Sequence, residues 1–123
     1  MGDVIEPRQV AENLKELWSP RIIAEVDDSF VKVAKIKGEF PWHSHEMEDE
    51  LFMVLDGEMS IELEDSRVKL TTGDLYVVPK GTSHRPSAAE ECLILLFEKK
   101  STRHTGDIVQ ENTRSVEQQR VQE

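Results

Sequence analysis

In PWHSHEMEDELF, residues 41–52, a single residue separates two histidines, and a run of acidic residues follows them. In a strand, His43 and His45 would point to the same face, with Cα atoms roughly 6.6 Å apart at about 3.3 Å per residue. Two imidazoles on one face can reach a common ion, with metal–nitrogen bonds of about 2.1 Å. An isolated His-x-His motif is more often an exposed pair at the end of a strand, here in a segment stiffened by Pro41, because so short a pattern has little specificity.

Glu50 stands where this acidic segment meets an apolar strand, LFMVLDG. Alternation along the strand predicts that Phe52 and Val54 share the face of Glu50. The other face would carry the remaining large apolar residues, Leu51, Met53 and Leu55. Both faces are then apolar, so we expect both to be covered, by a second layer or by a partner subunit. The other acidic residues of the segment are expected to lie in a solvated turn.

A third histidine follows a separate turn in TGDLYVVPKGTSHRP, residues 72–86. Pro79 ends a strand, Gly81 allows the chain to reverse, and His84 comes directly after the reversal. Taken alone, His84 would more often be a loop residue that is hydrogen-bonded to backbone or water.

Together the two segments resemble the two motifs of the cupin superfamily. The first motif is matched by Gly38, His43, His45, Glu50 and Gly57. Four residues separate His45 from Glu50, and six separate Glu50 from Gly57, as the motif requires. The second motif is matched at the expected spacings by Gly73, Pro79, Gly81 and His84. The sequence departs from the pattern in two places. Four residues instead of the usual five separate Gly38 from His43, and Ala88 replaces an asparagine whose role is usually structural.

The resemblance implies an all-β fold, a small antiparallel double-sheet β-barrel of the cupin or jelly-roll type, with one metal ion in its mouth. By carry-over of the motif positions, the metal ligands would be His43, His45, Glu50 and His84. Three neutral imidazoles and one carboxylate leave a divalent ion with a net charge of about +1 and open coordination positions if the ion prefers six ligands. Such a ligand set suits Mn, Fe, Ni, Co or Zn and does not select among them.

The function that the resemblance implies is metal-dependent chemistry on a small polar molecule. Similar proteins include dioxygenases, isomerases and epimerases of sugars, and decarboxylases, so the expected substrate is a sugar, a sugar phosphate or an organic acid. The alternative is a non-catalytic module that binds or senses a small molecule through the metal. A purely structural ion is the weakest hypothesis, because structural sites have no need of an open coordination position.

Residues that would contact a substrate are predicted less directly. The candidates for the pocket wall and for holding an anion are Phe40, Trp42, Phe52, Tyr76 and Arg85. The aromatic residues could equally form plain core, and Arg85 could be a surface charge, as could Lys80 on the other side of His84. No catalytic residue is assigned, since Tyr76 and Glu62 are possible bases without a spacing argument. His104 is not counted as a ligand, because it lies out of register with the others.

The elements that must position these residues can be read from apolar periodicity and turn signals. Val10, Leu14, Leu17 and Trp18 have helical spacing, which predicts a helix over residues 7–18 that ends before Pro20. Strands are expected near 21–26, 30–37, 51–55, 58–63, 67–70, 75–78 and 92–98. We therefore divide the chain into an N-terminal helical segment (1–20), a β-barrel (21–100) and a polar tail (101–123) that is mobile or lies across another surface, with Ile108 and Val109 over a partner.

Composition narrows the range of partners. The chain of 123 residues has a net charge of −10, which argues against nucleic acid and anionic membrane as partners. The single cysteine, Cys92, lies in an apolar run and is expected to pack as a small buried side chain. A lone thiol and the lack of a signal-peptide pattern predict a cytoplasmic location. The apolar outer face of the 51–55 strand predicts a homodimer.

Overall fold

The computed structural model of the chain describes residues 3–102 and 115–120. Within these ranges the fold is almost entirely β, as the sequence predicts. The elements in chain order are α1 (Pro7–Glu12), β1 (Arg21–Val26), β2 (Ser29–Glu39), β3 (Glu50–Asp56), β4 (Glu58–Leu63), β5 (Arg67–Thr71), β6 (Leu75–Val78), β7 (His84–Lys99) and α2 (Val116–Arg120). Every predicted strand is present.

All strand pairings are antiparallel, and they connect the seven strands into one sheet. The main path runs β1-β2-β7-β3-β6, while β4 pairs with both β5 and β7. β7 is long enough to pair with β4 through its first residues and with β3 through its last. The sheet folds over on itself as in a cupin barrel, although no strand pairing closes it within the described residues.

The core lies between the two halves of this folded sheet. Its buried members come from six of the strands and include Ile36, Val54, Ile61, Val78 and Cys92. Cys92 is fully buried, and burial raises the pKa of its thiol to about 11, so the thiol is neutral and packs as a small apolar group.

The N-terminal helix is shorter than predicted. It ends at Glu12 instead of Trp18, and Leu17 is exposed. Lys35 of β2 explains the difference, because its ammonium group donates hydrogen bonds to the carbonyl oxygens of Glu12 (3.0 Å) and Leu14 (2.7 Å). These contacts satisfy carbonyl groups that a continuing helix would have used. Trp18 then adopts a positive φ of 56° and donates its backbone N–H to the carbonyl of Lys35 (2.9 Å).

The last strand begins eight residues earlier than predicted, at His84 instead of residue 92. Its first half contains Pro86 and small or acidic residues, which carry no strand signal in the sequence. Pairing on both sides holds it extended: Ser87 lies opposite Glu39 of β2 and opposite Ser60 of β4. Tertiary pairing has therefore overridden local propensity.

Only part of the predicted polar tail lies among the described residues. Its helix α2 contacts β1, and the Arg120 guanidinium lies 3.4 Å from a carboxylate oxygen of Glu25 and 5.3 Å from the ring centre of Phe30. His104, Ile108 and Val109 lie outside the described residues. In the part of the chain that the structure describes, none of the helices has the length and apolar character to span a bilayer.

Candidate metal centre

Backbone hydrogen bonds join the two histidine-bearing segments. His43 and His84 form an isolated antiparallel bridge, in which each donates its N–H to the carbonyl of the other at 3.0 and 2.9 Å. Gly81 adds a third bond by donating its N–H to the carbonyl of His45 at 2.8 Å. Gly81 has a φ of +79°, a conformation that glycine adopts without strain. The main chain therefore sets the separation of the histidines.

Four side chains converge at this junction, and they are the four that the resemblance implies: His43, His45, Glu50 and His84. Their candidate ligand atoms lie within 4.8 Å of one another, and each residue is no more than 5% exposed. One carboxylate oxygen of Glu50 lies 3.3 Å from Nε2 of His45 and 3.4 Å from Nε2 of His84. Glu50 is the first residue of β3 and shares its inward face with Phe52 and Val54, as alternation predicts.

Backbone carbonyls fix the tautomers of two of the histidines. Nδ1 of His43 lies 2.9 Å from the carbonyl oxygen of Pro41, and Nδ1 of His84 lies 3.0 Å from that of Thr82. Because a carbonyl oxygen only accepts, each Nδ1 carries a hydrogen, and in the neutral ring Nε2 then presents a lone pair. Hydrogen bonding of the second ring nitrogen to a carbonyl is the usual way in which proteins orient a metal-ligating histidine.

The donor atoms of this cluster fit a cation. Nε2 of His84 and the facing carboxylate oxygen of Glu50 lie 3.4 Å apart, and neither atom has a hydrogen-bond partner in the described part of the chain. Two buried acceptors that face each other are unfavourable unless a proton or a positive ion lies between them. One carboxylate and imidazole nitrogens form a donor set that divalent transition metals accept.

The protonation states also suit metal binding. Burial and the neighbouring His84 lower the pKa of His43 to about 4, so its ring is neutral at pH 7. Burial alone would raise the pKa of Glu50, but its contacts with His45, His84 and Glu98 hold that pKa well below the ordinary value. A neutral imidazole and an ionised carboxylate are the forms that ligate metals.

A small cavity of about 30 Å³ adjoins His43 and Glu50. Its wall is otherwise apolar, and Phe40 and Phe52 belong to it. The ring of Phe40 meets His43 edge-on at 5.5 Å, and the ring of Phe52 meets His84 in the same way at 6.0 Å. Two of the predicted substrate-contacting residues thus lie beside the ligand cluster.

The other three predicted substrate residues lie elsewhere. Trp42 is 40% exposed and Tyr76 packs against the core, and neither lines the cavity. Arg85 binds both carboxylate oxygens of Glu62 at 3.0 Å and approaches Glu39 at 3.3 Å. The carboxylates of Glu62 and Glu39 therefore balance the positive charge of Arg85. Glu62, named above as a possible base, is itself bound in this ion pair. Whether these residues bind substrate stays a prediction.

Trp18 is a wall residue that sequence reasoning missed. It lines the cavity, stacks on Phe40 with ring centres 4.8 Å apart, and donates its indole N–H to the carbonyl of Lys37 at 2.8 Å. The helical pattern concealed this role, because the pattern placed Trp18 on the apolar face of a helix. The larger open groove of the molecule, about 630 Å³ between β4, β5 and β7, contains none of the four cluster residues.

Comparison with known proteins gives consistent matches. A family model described as the cupin domain matches residues 29–97, a range that contains all four residues of the cluster. The uncharacterized protein YdbB of Bacillus subtilis is 38% identical over 92 residues, which cover 74% of this chain and 81% of that protein. Trp18 lies before the range that the family model matches.

Solved structures match over most of the chain. A cupin-2 domain containing protein from Shewanella frigidimarina is 41% identical, with a TM-score of 0.77 over 79% of this chain and 95% of the other. Protein NMB1881 from Neisseria meningitidis is 29% identical, with a TM-score of 0.72 over 80% of this chain and 100% of the other.

Proposed function

Because the chain belongs to the family of cupin domains, we propose that it holds one divalent transition metal ion and uses it to act on a small polar molecule. The observation that carries this proposal is the convergence of four buried donor residues within 4.8 Å. The opposed acceptor atoms of His84 and Glu50 support a cation between them. Mn, Fe, Ni, Co and Zn all suit the ligand set, and availability in the cell would decide among them.

A bound metal would supply Lewis acidity, polarising a substrate oxygen or activating a water molecule. The protein's own contribution is to hold the ligands and to limit the access of water. The carbonyls of Pro41 and Thr82 keep two imidazoles in the ligating tautomer. The stacked rings of Trp18 and Phe40 cover the cavity beside the ligands, which lowers the local dielectric and strengthens electrostatic interactions there.

The proposed substrate classes are a sugar, a sugar phosphate or an organic acid, with isomerase or dioxygenase chemistry. Within the described residues, no lysine or arginine lines the cavity, and the nearby Arg85 is engaged by Glu62 and Glu39. A phosphate group would thus lack a cationic partner other than the metal itself. Among the three classes, this favours a ligand that binds the metal through hydroxyl, carbonyl or carboxylate oxygens.

The second candidate is a metal-dependent module that binds or senses a small molecule without converting it. A specific observation favours it: in the described part of the chain, the only polar residues lining the cavity are His43 and Glu50, both candidate ligands. A catalytic site commonly adds a separate acid or base within hydrogen-bond reach of the substrate.

Metal analysis of the purified protein tests the proposal. We expect about one equivalent of a divalent transition metal after reconstitution, and loss of that binding in Glu50→Gln and His84→Ala. Trp42→Phe is the matched control, because Trp42 is aromatic, close in sequence to the cluster and outside the cavity. Failure of the wild-type protein to bind any of the five metals would overturn the proposal.

Turnover assays separate the two candidates. The metal-loaded protein is screened by thermal shift against sugars, sugar phosphates, keto acids and phenols, and every ligand that binds is then tested for conversion. Conversion that is lost in Glu50→Gln establishes an enzyme. Binding without conversion of any ligand establishes the module.

We further propose that the chain forms a homodimer through the outer face of β3, β6 and β7. Leu51 of β3 lies opposite both Val77 and Phe97, and the latter two are exposed, as is Leu75. A contiguous apolar patch on a sheet face is typical of an interface. Light scattering should show a dimer for the wild-type protein and a monomer for Val77→Glu. Met47→Glu, at an exposed methionine outside the strands, is the control and should remain dimeric.

A further inference from the structure

Lys32 is a fully buried lysine, which is rare in proteins. It lies on the inward face of β2, and its ammonium nitrogen is 2.7 Å from a carboxylate oxygen of Glu98 on β7. The two side chains are 1% and 3% exposed. The ring centre of Phe30 lies 5.7 Å from the ammonium nitrogen.

Glu98 connects this ion pair to the metal centre. It is the register partner of Glu50 across β3 and β7, and both side chains point inward. Residues directly opposite each other on paired antiparallel strands have Cβ atoms about 4.5–5.5 Å apart, so the two carboxyl groups are neighbours. A continuous polar chain thus runs from Lys32 through Glu98 to Glu50.

Stability alone is a weak explanation for this arrangement. Removing two charges from water costs more than their attraction commonly returns, and apolar side chains of similar volume often stabilise a fold as well or better. The neighbouring inward positions, Ala34 and Ile36 on β2 and Leu96 on β7, are apolar and buried. The ion pair therefore interrupts an apolar surface directly beside a candidate metal ligand.

We propose that Lys32 and Glu98 form a positioning pair for the metal centre. Lys32 holds the Glu98 carboxyl group in place, and Glu98 in turn fixes the direction in which the Glu50 carboxylate points. The inference rests on the proposed metal-binding function and adds residues outside the four ligands. Groups that hydrogen-bond to metal ligands commonly tune affinity in this way.

Two double variants separate positioning from charge and from packing. Lys32→Met with Glu98→Gln and Lys32→Met with Glu98→Leu both remove one positive and one negative charge, so the net charge of the chain is unchanged. The glutamine side chain keeps a polar group beside Glu50 that can hydrogen-bond to its carboxylate, whereas leucine cannot. Neither variant leaves an unpaired buried charge.

Metal affinity is measured by competition with a chelator, and the absorption spectrum of bound Co²⁺ reports the ligand geometry. We expect the leucine variant to bind about 10–100-fold more weakly than wild type, and the glutamine variant, which loses Lys32 but keeps a polar group beside Glu50, to lie between the two. The Co²⁺ spectrum should change only in the leucine variant. The melting temperature of the metal-free proteins shows whether each variant is folded.

Equal metal affinities and equal Co²⁺ spectra in the wild-type protein and the leucine variant would overturn the positioning role while leaving the metal centre intact. Equal weakening in both variants would also overturn it, because a polar side chain beside Glu50 would then be irrelevant to metal binding. Absence of metal binding in the wild-type protein would overturn the proposed function together with this inference.

Discussion

Acidification should destabilise the metal-free protein through His43, whose ring is buried in the ligand cluster. Burial and the neighbouring His84 lower its pKa from 6.5 to about 4. Between these values the unfolded chain takes up a proton on His43 that the folded chain does not. The stability that neutral His43 contributes is therefore complete above pH 6.5, declines as the pH falls, and is lost near pH 4.

The size of the effect follows from the same two values. A pKa difference of one corresponds to about 1.4 kcal/mol, so the fall from 6.5 to about 4 amounts to about 3 kcal/mol in full. Between pH 7 and pH 5, proton linkage predicts a loss of about 2 kcal/mol in the free energy of unfolding from this residue alone.

Urea denaturation of chelator-treated protein at pH 7 and pH 5 measures the loss. Because other groups also titrate, the informative quantity is the difference between the wild-type protein and His43→Asn, whose side chain takes up no proton in this range. We expect the wild-type protein to lose about 2 kcal/mol more than the variant. Equal losses in the two proteins would refute the attribution of this pH dependence to the burial of His43.

Three further substitutions test the fold around the site. Gly57→Ala should destabilise the protein by about 2–3 kcal/mol in urea denaturation, because φ at Gly57 is +113° and an added Cβ would lie 3.3 Å from Cys92 Cα. Gly73→Ala, with a similar φ of +92° but no atom within 4 Å of the added Cβ, should cost less, and an equal cost would show that contact with Cys92 is unimportant. Lys32→Met alone should destabilise the protein by about 3–5 kcal/mol at pH 7, because Glu98 loses its partner inside the core. A loss below about 1 kcal/mol would mean that the ion pair is accessible to water.

Most strands could be predicted from the sequence because their signals are local. The turn at Asp56 and Gly57 and the alternation from Glu50 to Val54 are set by a few adjacent residues, and the structure follows them. The two errors have a non-local cause. Lys35 ends the helix from a neighbouring strand, and β2 and β4 hold Ser87 in an extended conformation that its own segment does not favour.

The residues of the candidate site also fall into those that the sequence predicts and those that depend on contacts between distant strands. The four clustered residues follow from the resemblance of the two segments to the cupin motifs, and the structure brings them together. Glu98 could not be predicted, because its contact with Glu50 depends on the register between β3 and β7. Lys32 did carry a signal, since it interrupts the apolar alternation of Phe30, Ala34 and Ile36, and an inward-facing charge needs a partner.

The main-chain bridge between His43 and His84 has a consequence for how such a protein can change over generations. Its bonds use only peptide groups, so the positions of the two Cα atoms do not depend on which side chains they carry. The backbone scaffold and the metal-binding chemistry are thereby separable. Other ligating side chains can replace the histidines at these positions without a change in the strands around them. A designer could exploit the same independence by selecting fresh side chains at these positions for ions that the natural set binds poorly.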